Sequence, residues 1–99
     1  MPGGWFYIMA NRKNGTLYAG ATRDLASRDF EHKTRVNPKS FTARYGCDRL
    51  VYYEAHDLLM DAVARENAVK RWKRSWKIAL IERDNPEWRN LELDPQDFS

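Results

Sequence analysis

The chain has 99 residues, 42% of them apolar and 13% aromatic, and carries a formal net charge of +3 at pH 7. That suits one domain with a modest core and argues against disorder over most of the length. Cys47 is the only cysteine, which excludes an internal disulfide and a cysteine-rich zinc cluster and fits a reducing cytoplasm; no signal peptide or long apolar span suggests a membrane.

Residues 1–4 (Met1-Pro2-Gly3-Gly4) read as a disordered start. Trp5 to Met9 and Thr16 to Gly20 are strand-like runs on either side of Asn14-Gly15, a hairpin signal because both residues tolerate positive φ. The hairpin sets Tyr7 and Tyr18 on neighbouring strands. Thr22 and Asp24 are alternative N-caps for a helix of about three turns through Leu25, Arg28 and His32, which Asn37-Pro38 stops. Lys39 to Asp48 is polar, contains Tyr45-Gly46 and reads as a loop, and Leu50 to Tyr53 reads as a third strand.

Leu58 to Arg74 is the longest periodic segment. Leu59, Ala62, Val63, Glu66, Val69 and Trp72 recur every three or four residues, the pattern of an amphipathic helix. Trp76 to Ile81 continues helically after Ser75 as a second, shorter helix. Asn85-Pro86 ends it, and Trp88 and Leu91 are placed to pin the remainder onto the body. The expected organisation is one domain over residues 5–91 with an acidic tail over 92–99. Residues 1–81 carry fifteen Lys/Arg against eight Asp/Glu, and residues 82–99 carry two against six. A basic body with an acidic end suggests a polyanionic partner, and plain uneven surface charge is the alternative.

Glu66 stands on the apolar stripe of its predicted helix, where an ionised carboxylate is costly unless paired or bound to a cation. A buried glutamate–arginine bridge or a rim position would satisfy it. So would Mg²⁺, which one carboxylate holds together with water and substrate oxygens. Arg28 and His32, four apart, share a helix face; the guanidinium suits bidentate contact with a phosphate, and a solvated arginine is the alternative. Half-buried strand tyrosines need only one hydrogen-bond partner each. A phenol that deprotonates water, with its ordinary pKa of about 10, needs positive charge beside it. Lys70, Arg71, Lys73, Arg74 and Lys77, with Arg65 before them and Trp72 and Trp76 interleaved, would track phosphates and stack a base. Cys47 and the two distant histidines have no zinc spacing, so Cys47 reads as a loop or core residue and His56 as a polar strand-end residue.

Taken in order, these motifs resemble the GIY-YIG nuclease superfamily, especially its small stand-alone bacterial members. The resemblance rests on Phe6-Tyr7-Ile8, on Leu17-Tyr18-Ala19-Gly20, on Asp24 to Arg28 followed by Glu31-His32-Lys33, and on Arg44 to Glu54. Ala64-Arg65-Glu66, Lys70 to Arg74 and Asn85 to Trp88 complete it. It implies an α+β domain, a three-stranded antiparallel sheet flanked by helices. It also implies a divalent-metal-dependent endonuclease acting on nucleic acid, with DNA favoured. By position, Tyr18 would be the base, Tyr7 its hydrogen-bonding partner, Arg28 the phosphate clamp, His32 an accessory residue, and Glu66 the ligand of one Mg²⁺ or Mn²⁺ ion. Trp5-Phe6-Tyr7 stands where the name motif has Gly-Ile-Tyr, and Ala21 where many members place a lysine. Two other readings are a nucleic-acid-binding module that cuts weakly or with a protein partner supplying specificity, and a scaffold whose Trp88 and acidic tail dock a partner.

Overall fold

The computed structural model describes residues 2–35 and 37–93. A three-stranded antiparallel sheet of order β2-β1-β3 is built from β1 (Gly4–Ala10), β2 (Leu17–Thr22) and β3 (Arg49–His56). Among the described residues four helices flank it: α1 (Leu25–Thr34), α2 (Phe41–Tyr45), α3 (Leu59–Lys70) and α4 (Arg74–Asp84). The α+β architecture is the one the sequence implies.

β1 is buried along its whole length because it is the central strand and helices cover both faces of the sheet. Alternation divides its side chains. Phe6, Ile8 and Ala10 join Val69 of α3, Leu80 and Ile81 of α4, and Trp88 in one core. Trp5, Tyr7 and Met9 join Leu25, Cys47 and Leu50 in a second core on the opposite face. Trp88 is fully buried, and its indole N–H donates to Glu82 Oε2 at 2.8 Å. It therefore pins the C-terminal segment to the body and is not available to dock a partner. Leu91 N–H donates to the Leu50 carbonyl at 2.7 Å, and Asn85 Nδ2 to the Val51 carbonyl at 3.1 Å, so this segment is tied to β3.

Several local details differ from the sequence reading. Sheet pairing reaches Gly4, and Gly3 N–H donates to the His56 carbonyl at 3.0 Å, where a frayed start was expected. A Cβ on Gly4 would meet Leu59 Cα at 2.7 Å, so the start of α3 closes directly onto this backbone. In the hairpin loop only Asn14 takes positive φ; Gly15 does not, and a turn from Arg12 closes on the Gly15 N–H at 3.0 Å. α1 starts at an Asp24 cap, whose carboxylate accepts from Ser27 N–H, and ends at a left-handed Arg35 before the proline. Lys39 to Asp48 is no plain loop. It holds α2, capped by Ser40 at its start and by left-handed Gly46 at its end. The long helix breaks at residues 71–73, before Ser75, and α4 is almost as long as α3. Of the expected tail, residues 94–99 lie outside the described residues, while Leu93 packs against the second core. Among the described residues, no helix is long and apolar enough to cross a membrane.

Candidate active site

The register of β1 against β2 sets Tyr7 opposite Gly20 and Met9 opposite Tyr18. Tyr7 and Tyr18 are thus diagonal neighbours on the face covered by α1, with ring centroids 6.3 Å apart. Gly20 has a steric reason: a Cβ there would lie 2.5 Å from the Tyr7 hydroxyl oxygen and 2.6 Å from Cζ. The Tyr7 phenol crosses the β2 backbone where no side chain stands in its way.

α1 completes the arrangement. His32, one turn after Arg28, is buried; its Nε2 lies 3.0 Å from the Tyr7 hydroxyl and its Nδ1 2.9 Å from Thr42 Oγ1 of α2. Its ring also meets the Tyr18 ring edge-on at 5.4 Å. Burial, with the Arg28 charge second, lowers the His32 pKa below its ordinary 6.5, against the pull of Glu31 and Asp29. The ring is therefore neutral at pH 7. Tyr7 is held well above the ordinary phenol range, first by burial and then by Tyr18 beside it; the Arg28 charge opposes this and the Glu66 charge adds to it. Tyr7 keeps its proton.

Tyr18, Arg28, Glu31, His32, Phe41 and Thr42 line a cleft of ≈ 260 Å³. Arg28 is half exposed, and its contact with Glu31 at 3.8 Å is a loose surface pair. Its guanidinium is thus free to take an anion. Phe41 and Thr42 form the far wall and were not singled out in the sequence, although the Ser40 cap and Gly46 stop were there to be read.

Glu66 lies between the buried Ala62 and Val69 on α3 and is itself partly buried. Ala62 and Val69 are buried, Val63 is exposed, and the Glu66 side chain retains 18% exposure. It is ion-paired to the more exposed Lys70 one turn on. Arg65 turns the other way: its Nε donates to Glu54 Oε1 at 2.8 Å, and its guanidinium lies over the Phe6 and Trp72 rings. Among the described residues no three His, Cys, Asp or Glu side chains cluster as metal ligands. Glu66 still fits a divalent ion of the Mg²⁺ type, because its oxygens are hard donors on a side chain that is not fully closed off, and such an ion keeps most of its ligands as water and substrate oxygen. Lys70 is then a displaceable counter-charge.

The predicted basic cluster separates into roles. Lys70 and Lys77 border a second hollow with Tyr18 and Phe41. Arg74 Nη2 instead donates to the Asn14 and Gly15 carbonyls at 2.8 and 2.6 Å, bracing the hairpin loop. Lys73 lies over the Trp76 ring at 5.7 Å, and Arg71 is exposed at the end of α3. Trp76 is 54% exposed, whereas Trp72 packs against the first core.

The family model described as the GIY-YIG catalytic domain matches residues 3–79. A UPF0213 protein of Pediococcus pentosaceus is 32% identical over 90 residues, covering 91% of this chain and 93% of the relative. A UPF0213 protein of Staphylococcus saprophyticus is 33% identical over 69 residues, 70% of this chain and 83% of the relative. One from Desulfotalea psychrophila is 31% identical over 77 residues, 78% and 70% of the two chains. No solved structure gives a significant match.

Proposed function

The chain belongs to the GIY-YIG family, as one of its small UPF0213-type members, and from that nuclease-type domain we propose a divalent-metal-dependent endonuclease that hydrolyses phosphodiester bonds in nucleic acid, DNA foremost. The observation that carries this reading is that Tyr18, Arg28 and His32 line one cleft while Tyr7 is hydrogen-bonded to its His32 wall.

In this mechanism the scissile phosphate lies in the cleft with Arg28 on its non-bridging oxygens, where a guanidinium binds bidentately and meets the charge that grows during attack. Tyr18 takes the proton of the attacking water. Its own phenolic proton passes to Tyr7, whose proton moves to Nε2 of the neutral His32. The step uses the His32 tautomer in which Nδ1–H would donate to Thr42 Oγ1, 2.9 Å away, leaving Nε2 open to the Tyr7 hydroxyl. The water oxygen bonds to phosphorus as the P–O bond to the leaving sugar oxygen breaks. Glu66 would hold the ion, which when bound supplies Lewis-acid charge to the phosphate and leaving oxygen. Product departure and solvent return the protons.

The test is incubation of the purified protein with duplex, branched and single-stranded DNA in Mg²⁺ or Mn²⁺, beside Glu66→Ala. Cleavage by the wild type alone is the expected result. Equal behaviour of the two proteins on every substrate contradicts it.

The binding-module reading keeps one supporting observation, the exposed Trp76 beside Lys73 and Lys77. Salt-sensitive binding with no cleavage by any variant would favour it.

A further inference from the structure

We propose that the hollow between the β1–β2 loop and the first turn of α4 is a second phosphate subsite, which grips the strand where it runs beyond the active cleft. The proposal rests on the nuclease reading above and assigns it a substrate path.

The hollow, ≈ 570 Å³, is lined by Arg12, Arg74 and Lys77 together with backbone and small polar groups of the loop, and among the described residues no acidic side chain borders it. Within it the cations divide the labour. Arg74 is committed to the carbonyls of Asn14 and Gly15. Arg12 is exposed, and neither it nor Lys77 is paired to a carboxylate among the described residues. The loop that presents Arg12 is set in advance: Asn11 Oδ1 accepts from Thr16 N–H at 2.9 Å, and the Arg12 carbonyl from Gly15 N–H at 3.0 Å. A preset loop carrying a free cation loses little entropy when an anion binds.

Continuity gives the occupant. Leu17 and Lys77 border both this hollow and its neighbour, and Tyr18 and Phe41 border both that neighbour and the active cleft. Along this line the cationic groups recur as Arg12, Lys77, Lys70, which is ion-paired to Glu66, and then Arg28. A chain of regularly spaced monoanions fits such a track, and a phosphodiester backbone is that chemistry. Arg12, outside the cluster on α3 and α4 that the sequence pointed to, becomes a binding residue, while Arg74 becomes a positioning residue that shapes the loop.

The experiment is fluorescence anisotropy of a labelled DNA oligonucleotide, offered as single strand and as duplex, without divalent ion and across a salt series. The proteins are the wild type, R12Q, K77Q, R12Q/K77Q and, as a charge-matched control beyond the far end of α4, R89Q. Circular dichroism checks that each folds, and the single variants carry the test should the double variant not. The double variant is expected to bind about tenfold more weakly, with a salt slope shallower by about one unit per cation removed. In cleavage assays KM should rise while kcat is kept. Wild-type affinity and slope in R12Q/K77Q, or a loss no larger than that of R89Q, overturns the subsite while leaving the nuclease reading standing. A wild type that binds neither form of the oligonucleotide overturns both.

Discussion

The phenol of Tyr7 lies across Gly20, so closely that a methyl group on that glycine would fall 2.5 Å from the phenolic oxygen. Gly20→Ala should therefore push the ring off its hydrogen bond to His32. The expected cost is about 1–3 kcal/mol of stability from overpacking. Cleavage should fall by about 10²-fold, because displacement of a site by about 1 Å carries a loss of that order. A thermal melt and a cleavage assay on the same preparation read the two effects.

Glu66→Gln preserves shape and removes the charge. Its partner Lys70 is half exposed, so the lost pair should change stability by about 1 kcal/mol or less. Ion binding should be the sensitive quantity. Added Mn²⁺ is expected to raise the melting temperature of the wild type, and chelation to reverse the rise, with neither effect in Glu66→Gln.

The buried His32 makes stability depend on pH with a definite sign. Its folded pKa lies below the ordinary 6.5, chiefly through burial. As pH falls below 6.5 the unfolded chain takes up a proton that the folded chain refuses, so stability declines until the folded value is reached. Urea midpoints measured from about pH 7 to about pH 5 should fall for the wild type and fall less steeply for His32→Gln.

The three strands and the helices carrying Arg28 and Glu66 were legible because alternation, capping residues and three-to-four spacing express burial directly. Tyr7 and Tyr18 could be placed on adjacent strands for the same reason. Their diagonal offset could not, because the loop runs from Asn11 to Thr16 and only Asn14 takes the positive φ expected of both turn residues. α2 was hidden by its polar composition, although Ser40 and Gly46 cap it at either end. Glu66 reads from its spacing as lying on the apolar stripe, with a rim position as the alternative, and its partly buried place between Ala62 and Val69 sets it at the edge of that stripe. The split between Arg74, which braces a loop 59 residues earlier, and the other cations is a tertiary fact that no local pattern encodes.

A separate polar network lies on the other edge strand and should matter for stability alone. Glu54 accepts from Tyr52 at 2.5 Å and from Arg65 at 2.8 Å, and lies 2.9 Å from His56 Nε2. Burial raises the Glu54 pKa, but these hydrogen bonds outweigh it and hold the group below its ordinary 4.5, while burial and Glu54 push Tyr52 up to about 12. The carboxylate's contribution is thus present above pH 4.5 and lost as pH falls through its folded value. Glu54→Gln should cost about 1–3 kcal/mol by denaturant titration and leave the cleavage rate of the folded protein within about twofold.

Single-turnover cleavage of labelled DNA by Tyr18→Phe, with saturating protein and Mn²⁺, tests the central claim most directly. The substitution keeps the ring against His32 and Phe41 and removes only the oxygen assigned to the water's proton. The expected rate is lower than that of the wild type by about 10²–10⁴-fold, the usual contribution of a general base. A Tyr18→Phe protein that cuts at the wild-type rate would contradict the account.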